Sequence, residues 1–238
     1  MATAELIKAE GLYAGYGQIP VIHDLTVTVS AGEVVCLLGA NGAGKTSTVL
    51  ALAGELSATR GQVVWLGSAT RTPLHRRARQ GLALVPEERS VIPGLTVRDN
   101  LRLGRGPIER ALDLFPELEP LLPRRAGLIS GGEQQILSLA RALAAEPKVI
   151  LADEMSLGLA PLVVQRLLAA LREATNRGAG VLLVEQQVRA ALAIADRGYV
   201  LQRGRIVRAG PAAELLADID QLEALYMTAT SSAETEAP

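Results

Sequence analysis

An octapeptide in the first quarter of the chain places a lysine and a hydroxyl residue directly after closely spaced glycines. Residues 39–46 read Gly-Ala-Asn-Gly-Ala-Gly-Lys-Thr, between an apolar segment typical of a buried strand and a predicted helix, Lys45 to Ala53. Glycines allow backbone N–H groups to converge on phosphate oxygens, and a helix N-terminus adds positive potential there. Lys45 can then reach the terminal phosphates of a nucleoside triphosphate, and the Thr46 hydroxyl can coordinate Mg²⁺.

The contacts that this loop predicts come from backbone amides and from the first turn of the helix. The predicted nucleotide-binding residues are Gly39, Asn41, Gly42, Ala43, Gly44, Lys45, Thr46 and Ser47. Lys45 is also a candidate catalytic residue, because its charge would lie beside the phosphoryl group that is transferred. The alternative is a glycine-rich turn between a strand and a helix, with no ligand.

Two carboxylates follow a second apolar segment, Val149–Ala152. The C-terminal ends of neighbouring parallel strands meet at one edge of a sheet, so Asp153 and Glu154 should lie near the glycine-rich loop. Asp153 is a candidate Mg²⁺ ligand, acting through a water molecule. Glu154 is a candidate catalytic residue that polarises the attacking water. The alternative for this pair is N-capping of the next helix.

A second group of small residues occurs at Ile129–Gln135, which reads Ile-Ser-Gly-Gly-Glu-Gln-Gln and is expected to open a helix over Gln135–Ala145. Small residues with free amides at a helix start form another anion site. The nucleotide contacts predicted here are Ser130, Gly131, Gly132 and Glu133. Because one triphosphate rarely needs two such sites from one chain, a second copy of the protein could present this segment to the nucleotide of the first.

Short apolar runs that alternate with helical stretches predict the scaffold of these residues. Continuous apolar strands joined by helices are typical of a parallel sheet covered on both faces. The predicted strands are Glu33–Gly39, Val63–Leu66, Leu82–Val85, Val149–Ala152 and Val181–Val184, and a helix is predicted over Pro161–Asn176.

Other segments depart from this alternation. Leu25–Ser30 alternates apolar and polar residues, which indicates an antiparallel strand with one exposed face. Residues 96–146 look helical throughout and predict an insertion into the α/β core, and a hairpin is predicted to turn at Arg203-Gly204. The basic run Arg71–Arg79 is interpreted as a solvated helix face, with contact to an anion or a partner as the alternative. The last residues, 229–238, are predicted to be a disordered tail.

The composition favours a soluble intracellular protein. Of 238 residues 49% are hydrophobic, and the formal net charge of −1 indicates no polyelectrolyte partner. No apolar run reaches the roughly 18–20 residues that cross a bilayer, and the N-terminus lacks the pattern of a signal peptide. The single cysteine, Cys36, fits a core position and a reducing cytoplasm.

Together the motifs resemble the nucleotide-binding subunit of an ABC transporter. Residues 39–46 resemble its Walker A loop, residues 130–134 its signature motif and Val149–Glu154 its Walker B strand, in the order of the family. The resemblance covers residues 5–227. It implies an α/β fold, a P-loop NTPase core with a mostly parallel sheet, an N-terminal antiparallel β subdomain and an inserted α-helical subdomain at about 88–146. All of these would lie in one nucleotide-binding domain, residues 1–228.

The resemblance implies roles for three further residues. Tyr16 stands where the family has an aromatic residue against adenine. Glu87 stands where most members have a glutamine that senses the metal and the membrane partner, so it is a candidate metal contact. Gln186, a candidate catalytic residue, falls at a switch position where most members have a histidine beside the γ-phosphate; its amide can donate a hydrogen bond but cannot carry a proton at neutral pH. Glu185 and Gln187 receive no role.

Several segments narrow the resemblance to importers of branched-chain and related amino acids. These segments are residues 85–89, 130–135, 156–161, 183–186 and 195–201. A neighbouring branch that serves urea and short amides is the alternative. The cofactors implied are ATP and Mg²⁺. The partners implied are a second ATP-binding subunit, identical or paralogous, in a head-to-tail pair, membrane permease subunits and, indirectly, a substrate-binding protein, at the cytoplasmic face of the inner membrane.

Two rival classes of function fit the chain less well. An ABC-type ATPase that acts on nucleic acid usually carries coiled-coil insertions, tandem cassettes or basic stripes, which the sequence does not show. A small-molecule kinase with the same phosphate loop would have no use for residues 130–134.

Overall fold

The structure, a computed structural model, describes residues 4–219 as two β-sheets and the helices packed on them. The strands are β1 (Glu5–Tyr16), β2 (Ile19–Ser30), β3 (Val34–Leu38), β4 (Ala58–Trp65), β5 (Ser68–Thr70), β6 (Leu82–Val85), β7 (Val149–Asp153), β8 (Gly180–Val184), β9 (Arg197–Gln202) and β10 (Arg205–Pro211). The α-helices are α1 (Lys45–Ala53), α2 (Leu74–Arg79), α3 (Val97–Arg102), α4 (Ile108–Leu114), α5 (Gly131–Leu143), α6 (Pro161–Asn176), α7 (Val188–Ile194) and α8 (Ala212–Ala217). Short 3-10 helices cover Pro116–Leu121 and Ala126–Leu128.

The larger sheet has the strand order β10-β9-β3-β8-β7-β6. Strands β9, β3, β8, β7 and β6 are mutually parallel, and β10 forms an antiparallel edge. Every residue of β3, β7 and β8 is buried, which is the pattern of a parallel sheet with both faces covered. The predicted mostly parallel sheet is confirmed.

Alternate side chains of β3 belong to two separate hydrophobic cores. Val34, Cys36 and Leu38 pack with α5, α6 and α7. Val35 and Leu37 point to the other face, where they pack with α1 and with strands β1, β2 and β4. The period of two along a strand produces this division. One face of the parallel sheet is thus covered by helices and the other by a helix together with the second sheet.

The smaller sheet is antiparallel, in the order β2-β1-β4-β5. The predicted strand Leu25–Ser30 is the second half of β2. Placing Val63–Leu66 among the parallel strands was wrong, because residues 63–65 end the antiparallel strand β4, where Val63 pairs with Ala9 of β1 and Thr70 of β5. A short apolar run carries no period that shows which sheet it joins.

Residues 96–146 hold the helices α3, α4 and α5 and both 3-10 helices, as the sequence predicts. Helix α5 begins at Gly131, before the predicted start at Gln135, because Ser130 caps it: the Ser130 hydroxyl accepts a hydrogen bond from the Glu133 N–H at 3.3 Å. The predicted tail, 229–238, lies outside the described residues. Within residues 4–219, no helix has both the length and the apolar character needed to cross a bilayer.

The basic run before β6 is only partly the solvated face that its composition indicates. Arg71, Arg76 and Arg79 are exposed, but Arg77 on α2 is 2% exposed. Its guanidinium donates a hydrogen bond to the carbonyl of Leu52 in the last turn of α1. A cation at a helix C-terminus is favourable. For Arg77 the solvated interpretation was therefore wrong.

One buried amide shapes the loop that leads into α3. The Asn100 side chain is fully buried; its oxygen accepts from the Ile92 N–H at 2.8 Å, and its nitrogen donates to the carbonyls of Ile92 (3.1 Å) and Thr96 (2.9 Å). Buried backbone groups need such partners. Asn100 therefore holds residues 92–96 in their conformation.

Replacing this amide should cost measurable stability. We expect Asn100→Ala to lower the free energy of unfolding by about 1–3 kcal/mol, because the backbone groups of the loop lose their partner. Urea unfolding followed by circular dichroism measures the change. The control, Arg102→Ala, breaks an exposed ion pair with Asp99 and should change the same quantity by less than about 0.5 kcal/mol. Equal losses in the two variants would contradict the assignment.

Candidate active site

The predicted catalytic and metal-binding residues lie at the ends of four adjacent parallel strands, at one edge of the larger sheet. The glycine-rich loop follows β3, Gln186 follows β8, Asp153 ends β7 with Glu154 directly after it, and Glu87 follows β6. Because these strands are parallel neighbours, their C-terminal ends lie side by side, the usual location of ligand sites in such sheets. The register therefore gathers residues that are more than a hundred positions apart in the sequence.

The conformation of the loop requires its glycines. Gly42 and Gly44 have φ angles of 77° and 103°, in the left-handed region. A Cβ on Gly39 would lie 2.5 Å from the carbonyl oxygen of Leu201 in β9. At the tip Asn41 and Gly42 are exposed, whereas the other predicted contacts Ala43 and Ser47 are buried.

The turn between β9 and β10 supports the loop from one side. Arg203 and Gly204 both have positive φ, as expected for a two-residue hairpin turn, and the predicted hairpin is confirmed. The Gly204 N–H donates to the Ala43 carbonyl at 2.8 Å, and its carbonyl accepts from the His23 N–H at 2.8 Å. The hairpin thus links strand β2 to the glycine-rich loop.

Lys45 is folded over its own loop and is 4% exposed. Its Nζ donates to the carbonyl oxygens of Gly39 (2.9 Å) and Ala40 (3.1 Å) and lies 3.0 Å from Oε1 of Glu154. The structure thereby joins two predicted catalytic residues from separate strands. A bound phosphate would offer this ammonium a second anionic partner.

Glu154 is held by groups on three sides. Besides Lys45, the Gln186 amide donates to its Oε2 at 2.5 Å. Its backbone N–H donates to the Val184 carbonyl at 2.9 Å, and its φ of 44° is left-handed. The carboxylate is therefore fixed at the sheet edge, beside the predicted phosphate site and the predicted switch residue.

Asp153 and Thr46 have the donor atoms of a magnesium site. The pKa of Asp153 is raised to about 6, chiefly by burial and also by the negative charges of Glu154 and Glu87. A hydrogen bond from the Thr46 hydroxyl acts in the opposite direction and lowers this pKa. One buried oxygen of Asp153, Oδ1, has no hydrogen-bond partner. An orphaned buried carboxylate oxygen beside an exposed hydroxyl fits Mg²⁺, which prefers oxygen ligands and is bound by few protein groups together with phosphates and water.

Tyr16, the predicted adenine contact, lies at the end of β1 with 52% of its surface exposed. Ser47 in the first turn of α1 places its hydroxyl 3.5 Å from the Tyr16 hydroxyl. The Tyr16 side chain therefore lies beside the phosphate loop and is about half exposed.

The signature residues cap α5 in a reciprocal arrangement. The Glu133 carboxylate accepts from the Ser130 N–H at 2.6 Å, and this capping box lowers the pKa of Glu133. The carboxylate of Glu133, predicted as a nucleotide contact, thus serves the helix start, while Gly131 and Gly132 expose no side chain. The Arg89 guanidinium covers Gly131, on which a Cβ would lie 2.6 Å from Arg89 Nη2. No sequence motif indicates a role for Arg89.

Comparisons with known proteins agree with this geometry. A family model described as "ABC transporter" matches residues 22–156, more than half of the chain. The chain belongs to this family. As an ABC transporter ATPase it binds nucleotide and hydrolyses ATP, as a subunit of a transporter.

Individual relatives support the same assignment. The chain is 42% identical over 211 residues to BraG of Pseudomonas aeruginosa, a high-affinity branched-chain amino acid transport ATP-binding protein, covering 84% of this chain and 91% of that one. It is 37% identical over 226 residues to the lipopolysaccharide export ATP-binding protein LptB of Acidithiobacillus ferridurans, covering 90% and 94%. A solved ATP-binding subunit of an ABC transporter superposes with a TM-score of 0.81 at 29% identity, covering 94% and 99%.

The pKa of Asp153 gives a test that needs no nucleotide. Above pH 6 its buried charge opposes folding, since an unfolded aspartate ionises near pH 4. Without nucleotide or Mg²⁺, Asp153→Asn should therefore raise the free energy of unfolding at pH 7.5 by about 1–3 kcal/mol. The gain should fade as the pH falls from 6 to 4, where the folded carboxyl is neutral.

Urea unfolding at pH 7.5 and pH 4.5 measures this difference. The control, Asp99→Asn, should not gain stability, because a hydrogen bond from the Thr96 hydroxyl holds the pKa of Asp99 below its usual value. An Asp153→Asn variant no more stable than the wild type at pH 7.5 would show that the buried carboxylate carries no such penalty.

Proposed function

We propose that this chain is the ATP-hydrolysing subunit of an importer of branched-chain or related amino acids. The observation that carries the proposal is the arrangement of the glycine-rich loop, Asp153, Glu154 and Gln186 at one sheet edge, in a chain 42% identical to a branched-chain amino acid transport ATPase. The segments that resemble this importer branch support it further. Similarity to LptB makes lipopolysaccharide export the second candidate for the cargo system, and urea or short amides are the third.

The phosphates of ATP would lie on the glycine-rich loop, bound by its amides and by Lys45, with Tyr16 against the adenine. Thr46 and Asp153 would hold Mg²⁺, directly or through water, with Glu87 near the same position. When bound, the metal ion neutralises charge on the β- and γ-phosphates.

Glu154 would act as the general base that orients the attacking water. Without nucleotide its carboxylate is engaged by Lys45 and Gln186. A triphosphate gives both of these donors another acceptor, because each can donate to a phosphate oxygen. Nucleotide binding would thus free Glu154 for water, while Gln186 contacts the γ-phosphate without transferring a proton.

The signature residues would bind the nucleotide of a second subunit, identical or paralogous. Ser130 is exposed at the start of α5, where the helix N-terminus and the Arg89 guanidinium add positive potential. Large apolar side chains are exposed near this segment and near α6; they are Leu128 (70%), Leu157 (53%) and Leu162 (79%). A head-to-tail pair would cover such residues and complete two sites at once.

A groove between the parallel sheet and the helical insertion is the proposed contact for the membrane subunit. Its volume is about 350 Å³, and its walls come from α2, β6 and α5 and include Ser90 and Arg141. Glu87 follows β6, and its charge raises the pKa of Asp153 at the proposed metal position. Permease movement would be coupled to ATP turnover along β6. The subunit would lie at the cytoplasmic face of the membrane, with a substrate-binding protein on the opposite side.

Replacing the proposed base should separate binding from turnover. Glu154→Gln should bind ATP with an affinity close to that of the wild type but lose about 100-fold or more in turnover, because an amide cannot accept the proton of water. Phosphate release and equilibrium binding of labelled ATP measure the two quantities. The control, Glu146→Gln, changes an exposed glutamate paired with Arg110 and should keep normal turnover. Unchanged hydrolysis in Glu154→Gln would remove Glu154 from this role.

The cargo can be identified from the intact complex. A tag on this chain should co-purify membrane permease subunits, and the accompanying binding protein should retain leucine, isoleucine or valine when its ligands are identified by mass spectrometry. ATPase activity of the reconstituted complex should rise when this loaded binding protein is added. Recovery of lipopolysaccharide export components, or stimulation by urea alone, would overturn the amino-acid assignment.

A further inference from the structure

Glu185 is a buried carboxylate that the mechanism above does not use. It follows β8 directly and is 3% exposed. Its Oε2 accepts a hydrogen bond from the Ser156 hydroxyl at 2.5 Å, and its Oε1 accepts one from the Ser156 N–H at 3.2 Å. Each oxygen thus accepts a hydrogen bond from Ser156, in the turn that follows Glu154, and the Gln186 backbone N–H also interacts with the carboxylate.

The two residues that directly follow β8 are hydrogen-bonded to two residues that follow β7. Gln186 donates to Glu154, and Glu185 accepts from Ser156. The Val184 carbonyl, which precedes both, accepts from the Glu154 N–H. The segment 184–186 therefore fixes the segment 154–156 along its length.

Besides the bonds to Glu185, the turn after Ser156 is supported by a hydrogen bond from the Leu157 N–H to the Glu154 carbonyl at 3.3 Å and by packing of the partly buried Leu159 against the helical core. Leu157 is 53% exposed, Gly158 has a φ of 70°, and the turn is closed by a hydrogen bond from the Leu159 N–H to the Ser156 carbonyl at 3.2 Å. Met155, on the other side of Ser156, is buried. The two bonds to Glu185 attach the start of this turn to the segment that follows β8.

A carboxylate at position 185 is energetically unfavourable, because burial removes its hydration. The pKa of Glu185 is raised, chiefly by burial and also by the negative charge of Glu154. The hydrogen bonds from Ser156 oppose this shift. A buried charge is tolerated when hydrogen bonds compensate its lost hydration. An apolar residue would avoid the cost but would leave the Ser156 donors without an acceptor.

We propose that Glu185 is a positioning residue, which anchors the turn 156–159 through Ser156 and thereby keeps Glu154 and Gln186 in the geometry for hydrolysis. This inference rests on the proposed function for its effect on turnover. The anchoring itself is a property of the nucleotide-free subunit and can be measured separately.

The first experiment measures the anchoring without ATP. Cys36 is fully buried and burial raises its pKa well above the usual range, so Leu157→Cys provides a single reactive site for a nitroxide label. In the full chain, Glu185→Ala and Ser156→Ala should both increase the mobility of this label in electron paramagnetic resonance spectra. The matched control is Glu33→Gln, which alters another carboxylate that accepts from a backbone N–H (Ser30, 2.6 Å) and a side chain (Arg197), away from the turn.

The second experiment measures kcat as the ATP hydrolysed per site that binds nucleotide. Counting only binding-competent sites prevents unfolded protein from lowering the measured kcat. Glu185→Ala should lower kcat about tenfold, the effect of losing a charged hydrogen bond, while nucleotide affinity changes less than about twofold. Glu185→Gln should keep at least about one third of kcat, because its amide can accept from the Ser156 N–H and donate to the hydroxyl. The double variant with Ser156→Ala should be no slower than Glu185→Ala alone, because the two residues act through one contact.

The two experiments test the anchoring and the positioning role separately. Unchanged label mobility in both alanine variants would overturn the anchoring, and unchanged kcat in Glu185→Ala would overturn the positioning role. Independent, multiplying losses in the double variant would show that Glu185 does not act through Ser156. If the wild type hydrolyses no ATP in the assembled complex, the proposed function fails and the positioning role fails with it, while the label spectra still decide the anchoring.

Discussion

The site is organised around the ion pair between Lys45 and Glu154, whose charges lie 3.0 Å apart and are almost completely buried. Breaking such a pair without a substitute is costly, because each partner would remain as an uncompensated charge. Under the proposed function, a nucleotide would separate the pair by bringing phosphate oxygens for the ammonium and water for the carboxylate. The ion pair would therefore favour a ligand with a terminal phosphate.

The sheet makes this pair possible. Lys45 opens the helix after β3, and Glu154 follows β7, so neither is placed by its own neighbours in the sequence. The intervening strand β8 pairs with both and contributes Gln186 from the same edge. Parallel register, not local structure, therefore determines the distances between the charged groups.

Much of the scaffold could be predicted from sequence because it depends on local patterns. The helices over Lys45–Ala53 and Pro161–Asn176 have the predicted limits, and the glycine-rich loop, Asp153 and Glu154 were found from residue types beside apolar strands. The start of α5 was missed because the capping box of Ser130 extends the helix into a glycine pair. The contacts of Arg77 with α1 and of Glu185 with Ser156 join segments separated by other elements, and no periodicity indicates them.

The two cores that share β3 have a mechanical consequence. The strand has only five residues, and its side chains alternate between the helical face and the face of the antiparallel sheet. The hairpin tip at Gly204 adds a second link from the antiparallel sheet to the same loop. A shift of the helices on one face would therefore reach the loop and the opposite core through one short strand. The proposed nucleotide loop thus follows a strand that both cores share, so a movement of either core would alter the position of the loop.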